Sequence, residues 1–404
     1  MGSELEKFRP INEGVAKLYS CGPSIYLLPH IGNYRSFLYE DILQRYLEHL
    51  DYKVERVLNV TDVEDKAIAQ AQKEGVSLAA LTSRNFEVFV KELRMLNARI
   101  PDFIPRSSTS VDQVVVLIER LIERGYAYWH EGDVYYDPLK FPDFGKLYGL
   151  DMSSWPKTKR RFRKDTYPGN RWNRGDFILW KGYRDGETVY WDTNIGKGRP
   201  AWNVQDPAMA MKFLGPEVDI ACGGVDNLIR HHDYIMAVAE GATGKRFARY
   251  WLHGAHLYVN GKKMSKSRGN IIYPTDIVEQ GYEWRDVRFF LIYGHYRKRL
   301  HFTWLKFKKS IGKLHQLREM VQELNQGSFA KSSSPLAQRI VSRLKEDFER
   351  NLDNDLHVRD AFDALLTHVS RLKALKARGS VGAKEIETAL HHLREIDMVL
   401  QVIF

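Results

Sequence analysis

A strand, a histidine–glycine turn and a helix near the start of the chain constrain its fold more than any other stretch. Residues 18–28 are largely apolar, residues 29–33 read PHIGN, and residues 36–49 have the periodicity of an amphipathic helix. A further apolar run at residues 54–60 predicts the next strand, so a parallel β-α-β unit is expected. Gly32 would let a ligand approach the backbone, and a helix N-terminus favours anions. The turn therefore predicts a phosphate site with His30 as a donor.

The β-α-β unit is followed by another helical pattern. It begins after residues 61–66, which read TDVEDK, and continues to about residue 73. Thr61 or Asp62 is the expected N-cap, because their side-chain oxygens can accept hydrogen bonds from free backbone N–H groups.

A cationic loop far downstream fits the same kind of ligand. Residues 263–267 read KMSKS and lie between glycines 261 and 269. The ammonium groups of Lys263 and Lys266 and the hydroxyls of Ser265 and Ser267 suit a triphosphate whose charge peaks in the transition state. Taken alone, such a loop could equally be a solvated basic turn. The histidine turn upstream favours the phosphate interpretation.

Composition limits the class of protein. The chain has 404 residues, 44% of them hydrophobic, which suffices for two or three domains. Two cysteines argue against a disulfide framework, and no apolar segment predicts a signal peptide or a membrane span. A reducing cytoplasm is the expected location, without a membrane partner. The formal net charge of +10 is compatible with a polyanionic partner and with a solubilising surface.

Changes in composition and in hydrophobic periodicity along the chain predict five segments. Between residues 126 and 197 short strand patterns flank a loop-rich region, which suggests an insertion between two halves of a nucleotide-binding domain. The basic run at residues 157–164 within it fits a solvated loop better than a polyanion site. The C-terminal part is helical throughout. The predicted segments are 1–125, 126–197, 198–250, 251–325 and 326–404.

The second half of the nucleotide-binding domain carries a further site pattern. Residues 218–226 form an apolar strand, a turn at Gly223 and Gly224, and a carboxylate, Asp226, suited to ribose hydroxyls. His253 and His256, just before the lysine loop, could line the same crevice.

These motifs, in this order, resemble those of cysteinyl-tRNA synthetases and their relative, mycothiol ligase, within the class I aminoacyl-tRNA synthetases. The resemblance includes CGPSIY at residues 21–26, NVTDVEDK at 59–66, GRPAW at 198–202 and HH at 231–232. It implies an α/β fold with a Rossmann-like parallel sheet, a connective insertion and a C-terminal helical bundle. It also implies an enzyme that uses ATP and Mg²⁺ to form an aminoacyl adenylate.

The resemblance implies a role for each motif residue. His30 and Asn33 would contact the phosphates, with Lys263 and Lys266 closing over the pyrophosphate. Trp202 would form a wall of the amino-acid pocket. The residues facing the substrate side chain would be Cys21, Thr61, Asp206 and His231.

Two residues depart from the family pattern. The family binds zinc with two cysteines, a histidine and a glutamate, and the zinc selects cysteine through its thiolate. Here Asp206 stands at the second cysteine and Ile235 at the glutamate. No complete metal site is therefore predicted, although a weaker three-ligand zinc site, or one completed by Cys222, stays open. Without zinc, cysteine loses its main discriminator, so the amino acid is expected not to be cysteine. An Asp206–His231 pair would instead recognise a polar, non-thiol side chain.

The acceptor is expected to be a small-molecule amine or carrier, because the sequence ends where the family's anticodon module would begin. The predicted function is an ATP-dependent ligase for a non-cysteine amino acid. Two alternatives are a compact cysteine–tRNA ligase that charges tRNA, and a non-catalytic nucleotide-binding regulator.

Overall fold

A four-stranded parallel sheet forms the centre of the fold. The computed structural model describes residues 5–151 and 176–404. The strand order is β2-β1-β7-β8, and every neighbouring pair is parallel. Its strands are β1 (Val15–Ser20), β2 (Lys53–Leu58), β7 (Val218–Gly224) and β8 (Ala248–Gly254). Because β7 enters beside β1 from a distant part of the sequence, the carboxyl ends of both halves meet at one edge. The predicted α/β fold with a parallel sheet is confirmed.

A second, antiparallel sheet interrupts the first between its two halves. Its order is β3-β4-β5-β6. The strands are β3 (Ala127–His130), β4 (Asp133–Tyr136), β5 (Phe177–Gly182) and β6 (Gly198–Pro200). The five predicted segment bounds stay predictions, and the basic run at residues 157–164 lies outside the described residues.

The remaining strands and the helices complete the chain. A small sheet, β10-β9-β11, contains β9 (Leu257–Val259), β10 (Lys262–Lys263) and β11 (Leu300–Phe302). The helices between residues 31 and 243 are α1 (Ile31–His49), α2 (Asp65–Glu74), α3 (Leu78–Met95), α4 (Val111–Glu123), α5 (Trp202–Leu214) and α6 (Asp233–Thr243). The C-terminal helices are α7 (Pro274–Val278), α8 (Trp284–Ile292), α9 (Trp304–Leu324), α10 (Pro335–Asp353), α11 (Val358–Ala377) and α12 (Ala383–Leu400).

One hydrophobic core joins α1 to the C-terminal helices. A buried ion pair lies inside this contact, where Arg288 of α8 donates to Asp41 of α1 at 2.6 Å, and both side chains are fully buried. Arg288 also donates to the backbone oxygens of Leu96 and Leu400, at 3.0 and 2.7 Å. These bonds fix α1, and with it the histidine turn, against the helical part of the chain.

The structure corrects two local predictions. Helix α1 begins at Ile31, five residues before the predicted start, so Gly32 and Asn33 belong to its first turn. Helix α2 begins at Asp65 after Glu64, and neither Thr61 nor Asp62 caps it. The Asp62 carboxylate instead accepts hydrogen bonds from the Ser107 hydroxyl and from the backbone and hydroxyl of Ser108. A tertiary contact thus takes the oxygens that local sequence assigned to the cap.

None of the helices in residues 5–151 and 176–404 is both long and apolar enough to cross a membrane.

Candidate active site

A cavity of about 670 Å³ opens at the carboxyl ends of β1, β2 and β7. In parallel sheets this edge collects side chains from segments that are far apart in sequence. The cavity wall brings together most of the predicted site residues, namely Cys21, His30, Gly32, Asn33, Thr61, Trp202, Asp206, Gly224, Asp226, His231, His256 and Lys263.

His30 caps α1 and faces this cavity. Its Nδ1 accepts from the backbone N–H of Asn33 at 3.3 Å, while the Asn33 side-chain oxygen accepts from the His30 backbone N–H at 3.0 Å. Because Nδ1 is an acceptor, the ring proton of the neutral imidazole lies on Nε2. Burial lowers the pKa of His30 and favours this neutral form. The cap thus leaves Nε2–H available to a ligand.

The lysine loop meets the histidine turn directly. A Cβ added to Gly32 would lie 2.7 Å from the terminal methyl carbon of Met264 and 3.1 Å from the His30 ring. Glycine at this position therefore permits Met264 to pack against the turn. The two motifs, more than 230 residues apart, therefore line the same cavity.

Asp226 lies beside Lys263 and His256 in this wall. Its carboxylate oxygens are 3.8 Å from Lys263 Nζ and 3.9 Å from His256 Nδ1. Asp226 is half exposed, so its carboxylate is open to a ligand's hydroxyl groups. Burial lowers the pKa of His256, which makes this histidine a neutral partner.

Four of the predicted site residues do not line the cavity in the described part of the structure, namely Gly223, His253, Ser265 and Ser267. His253 Nε2 lies 2.8 Å from His232 Nδ1, and burial lowers the pKa of His253 to about 4. Gly223 packs against the His232 ring, which an added Cβ would approach to 2.7 Å. Ser265 and Ser267 face each other with their hydroxyl oxygens 3.3 Å apart, outside the wall. The side chain of Lys266 is outside the described part of the structure.

Cys21, Asp206 and His231 converge at the other end of the cavity. Cys21 Sγ is 3.1 Å from His231 Nε2 and 3.6 Å from Asp206 Oδ2, and His231 Nε2 is 3.0 Å from the same Oδ2. Trp202 packs on the His231 ring with centroids 4.7 Å apart. Burial, together with the Asp206 charge, raises the pKa of the Cys21 thiol well above its usual range.

The converging atoms fit a zinc ion. Zinc–ligand bonds of about 2.0–2.3 Å in tetrahedral geometry place neighbouring ligand atoms roughly 3.3–3.8 Å apart, and thiolate, carboxylate and imidazole are all zinc ligands. The three observed separations of 3.0–3.6 Å are close to this range. His231 and His232 also offer ligand atoms within 4.8 Å of each other and of Cys21. Cys222 is not part of this group, because it packs in the core cluster that contains Tyr39.

Sequence reasoning missed several residues around this cluster. Tyr19 and Asn59 bond the Asp206 carboxylate, and Asn227 Nδ2 lies 3.3 Å from Cys21 Sγ. Asn59 directly follows β2, so its place at the carboxyl end of a parallel strand was a usable signal. In the cavity wall Asp65, the first residue of α2, pairs with Lys181 of β5 and Arg199 of β6, a contact without a local sequence signal.

The parallel sheet and a cavity closed by two phosphate-type motifs define a class I aminoacyl-tRNA synthetase. Residues 7–312 match the family described as tRNA synthetases class I (C) catalytic domain. The chain belongs to this family, which confirms the resemblance to cysteinyl-tRNA synthetases.

Curated relatives match along almost the whole chain. A cysteine–tRNA ligase of Chlamydia pneumoniae is 39% identical over 404 residues, covering 98% of this chain and 84% of that protein. A cysteine–tRNA ligase of Chlamydia muridarum is 36% identical over 416 residues, covering 100% of this chain and 86% of that protein.

Solved structures share the fold at low identity. Methionyl-tRNA synthetase of Mycobacterium tuberculosis bound by methionyl-adenylate superposes with a TM-score of 0.70 at 16% identity, covering 96% of this chain and 91% of that one. The LeuRS of Agrobacterium radiobacter K84, solved with tRNA and LeuAMS, has a TM-score of 0.70 at 11% identity, covering 99% and 85%.

Proposed function

We propose that the chain is an ATP-dependent ligase that activates cysteine as an adenylate and transfers it to tRNA. The observation that carries this proposal is the single cavity that unites His30, Lys263 and the Cys21–Asp206–His231 cluster. It supplies phosphate-binding groups at one end and a cluster of thiol, carboxylate and imidazole, all zinc-type ligands, at the other.

The proposed reaction has two steps. In the first, a carboxylate oxygen of the amino acid attacks the α-phosphorus of ATP and forms a P–O bond, while the bond from that phosphorus to the oxygen bridging it to the β-phosphorus breaks and pyrophosphate leaves. Mg²⁺ would accompany the triphosphate and neutralise its charge. In the second, a terminal ribose hydroxyl of tRNA attacks the adenylate carbonyl and forms an ester, the bond from that carbonyl to the phosphate oxygen breaks so that AMP leaves, and the hydroxyl proton passes to the leaving phosphate. The protein's contribution to both steps is positioning and charge stabilisation.

The described residues suit the first step. His30 Nε2–H can donate to a phosphate oxygen, because the cap occupies Nδ1. Lys263, which lines the same cavity, can neutralise pyrophosphate. Asn33 keeps its amide N–H₂ for a phosphate oxygen, since the cap uses only its oxygen. Asp226 can accept from ribose hydroxyls near Lys263. The role of Lys266 stays a prediction.

Cysteine and tRNA replace the amino acid and acceptor expected from the sequence. The two Chlamydia relatives are cysteine–tRNA ligases, and each is covered over 84–86% of its length. A non-cysteine substrate and a small-molecule amine or carrier gain no support from these relatives. A regulator without activity is disfavoured because His30 and Lys263 are both present in the cavity wall.

Cys21, Asp206 and His231 would hold zinc at the amino-acid end. When bound, zinc would favour the thiolate of a cysteine substrate over the hydroxyl of serine.

ATP–pyrophosphate exchange across all amino acids, followed by aminoacylation of cysteine-specific tRNA, tests the proposal. We expect exchange with cysteine and accumulation of cysteinyl-tRNA. Exchange with serine but not with cysteine would refute cysteine as the activated amino acid. Exchange with cysteine without charging of tRNA would refute tRNA as the acceptor. A His30→Ala preparation serves as the control for contaminating synthetases.

A further inference from the structure

A short irregular segment, residues 295–298, lies between the C-terminal helices and the cavity wall. It reads HYRK and connects α8 to β11. The Ala255 N–H donates to the Tyr296 oxygen at 2.8 Å, and the Leu300 N–H, just beyond the segment, donates to the His256 oxygen at 3.2 Å. Ala255 and His256 both line the cavity. The segment and this part of the wall are therefore one hydrogen-bonded unit.

Arg35 of α1 joins the same two runs of backbone a second time. Its guanidinium donates to the backbone oxygens of Ala255 and, at 3.0 Å, of His256. It also donates to three backbone oxygens of the segment at 3.3, 3.5 and 2.5 Å, those of His295, Tyr296 and Lys298. Arg35 is 5% exposed, and a buried cation is stable only when its donors are satisfied. Any shift of the segment would therefore displace Arg35 or the wall.

Asp355, in the loop between α10 and α11, holds the segment from the side of the C-terminal helices. The Tyr296 hydroxyl donates to Asp355 Oδ1 at 2.7 Å, and Arg297 Nε donates to Oδ2 at 2.7 Å. His295 Nε2 lies 3.3 Å from Oδ2. Burial acts to raise the pKa of Asp355, but hydrogen bonds from these three side chains outweigh it and lower the pKa to about 2. The carboxylate is therefore ionised near pH 7 and binds consecutive residues of the segment.

The backbone at Asp355 is strained. The φ angle is +58° at Asp355 and also at Leu356, a conformation that side chains other than glycine rarely adopt. Such backbone persists only where surrounding contacts hold it. Leu356 is buried, and together with Arg35, Tyr39 and Tyr296 it lines a small cavity of about 20 Å³. The loop, the segment and α1 thus meet at one point, where the strained turn presents Asp355 to the segment.

We propose that Asp355 is a positioning residue for the nucleotide end of the active site. It holds the 295–298 segment from the C-terminal helices, and Arg35 carries that position to the cavity wall. Strands β9 and β10 follow directly in the chain, and β10 contains Lys263, so the same unit places the lysine that faces the phosphates. This inference rests on the proposed function, because the ligand at this end is ATP.

Asp355→Gly tests the role of the carboxylate with little effect on the turn. Glycine adopts a φ of +58° without strain, so the variant removes the side chain and keeps the backbone. Asp363→Ala is the matched control. Asp363 of α11 also accepts from a tyrosine hydroxyl and a lysine, those of Tyr293 and Lys313, but these bonds lie outside the 295–298 segment.

The first measurement is the affinity of the full-length protein for a non-hydrolysable ATP analogue with Mg²⁺, by isothermal titration calorimetry. We expect Asp355→Gly to bind the analogue about 2–30-fold more weakly than the wild type, a range typical of residues that act through intervening contacts. Asp363→Ala should bind it with wild-type affinity. In ATP–pyrophosphate exchange, Asp355→Gly should raise KM for ATP and leave KM for cysteine unchanged, whereas general destabilisation would change both.

Hydrogen exchange locates the effect in the chain. Amide exchange across residues 255–263 should be faster in Asp355→Gly than in the wild type, because the wall loses its support. Exchange in α5, which carries Asp206 at the amino-acid end, should be unchanged. Since coupling between two sites is reciprocal, the ATP analogue should slow exchange at residues 354–357 in the wild type and in Asp363→Ala.

Two results would overturn the positioning role, namely wild-type affinity and KM for ATP in Asp355→Gly, or an equal loss of affinity in Asp363→Ala. Failure of the two proposals is distinguishable. If the wild type charges tRNA with cysteine and Asp355→Gly binds the analogue equally well, the positioning role is refuted and the function stands. If Asp355→Gly weakens the analogue as expected but no amino acid supports exchange, the function is refuted and the positioning role stands for a nucleotide.

Discussion

His30 carries two separable roles, capping a helix and donating to a phosphate, and a pair of variants can divide them. His30→Asn keeps a side-chain oxygen that can accept from the first turn of α1, but it is too short to reach the place of Nε2–H. His30→Ala removes both the cap acceptor and the donor. The cap bond at 3.3 Å and the reciprocal bond from Asn33 are the contacts at stake.

The expected magnitudes follow from these contacts. Losing a side-chain N-cap costs about 0.5–2 kcal/mol in the free energy of unfolding, whereas Asn, a preferred cap residue, should stay within about 0.5 kcal/mol of the wild type. Losing one preorganised donor to developing charge lowers kcat about 10²–10³-fold. His30→Asn should therefore be stable but slow, and His30→Ala should be both slow and destabilised.

Chemical denaturation measures the stability, and ATP–pyrophosphate exchange with cysteine measures the rate. Because burial lowers the pKa of His30, the imidazole is already neutral near pH 7, and deprotonation of this residue should not reduce exchange above about pH 7. Wild-type exchange in His30→Asn would refute the donor role. Equal stability of the two variants would refute the cap.

Three further predictions concern the lysine loop and the buried charges. Lys263→Ala should slow ATP–pyrophosphate exchange about 10²–10³-fold. Lys262 is exposed and outside the cavity wall, so Lys262→Ala is the control and should exchange at the wild-type rate. A wild-type rate in Lys263→Ala, or an equal loss in both variants, would contradict the role of Lys263. Arg288→Met should lower the free energy of unfolding by about 3 kcal/mol in denaturant titration, because the buried Asp41 loses its partner. The double variant with Asp41→Asn should cost less than the sum of the single variants, and simple additivity would contradict the coupling. Burial raises the pKa of Glu40 from its ordinary value of 4.5 to about 7. Between these two pH values the folded state keeps the carboxyl proton, whereas the unfolded state has released it. The free energy of unfolding should consequently fall between about pH 5 and pH 7, and the decline should be smaller in Glu40→Gln, in which other buried carboxyls such as Asp233 still contribute.

The sequence by itself determined the local elements that carry the nucleotide chemistry. Three contiguous stretches carry this chemistry, namely the PHIGN turn between a strand and a helix, the strand that ends in Gly223 and Gly224, and the KMSKS loop. Because each is contiguous, its residue types alone predict a nucleotide site. The parallel β-α-β unit and the helical C-terminal part were predictable for the same reason, because hydrophobic periodicity is a local property. The cap of α2 was not, since Ser107 and Ser108, distant in sequence, bond the Asp62 carboxylate.

Only the tertiary structure decided how the amino-acid end is built. Asp206 and His231 come 185 and 210 residues after Cys21 in the chain, yet the Sγ, Oδ2 and Nε2 atoms of the three residues lie within 3.6 Å of one another. Tyr19 of β1 and Asn59, which directly follows β2, both bond Asp206, and the parallel pairing of β1 with β2 is what brings them together. The physical reason is that β7 and the helices after β6 reach the sheet only after a long insertion. The carboxyl edge, where distant strands end side by side, is therefore created by folding.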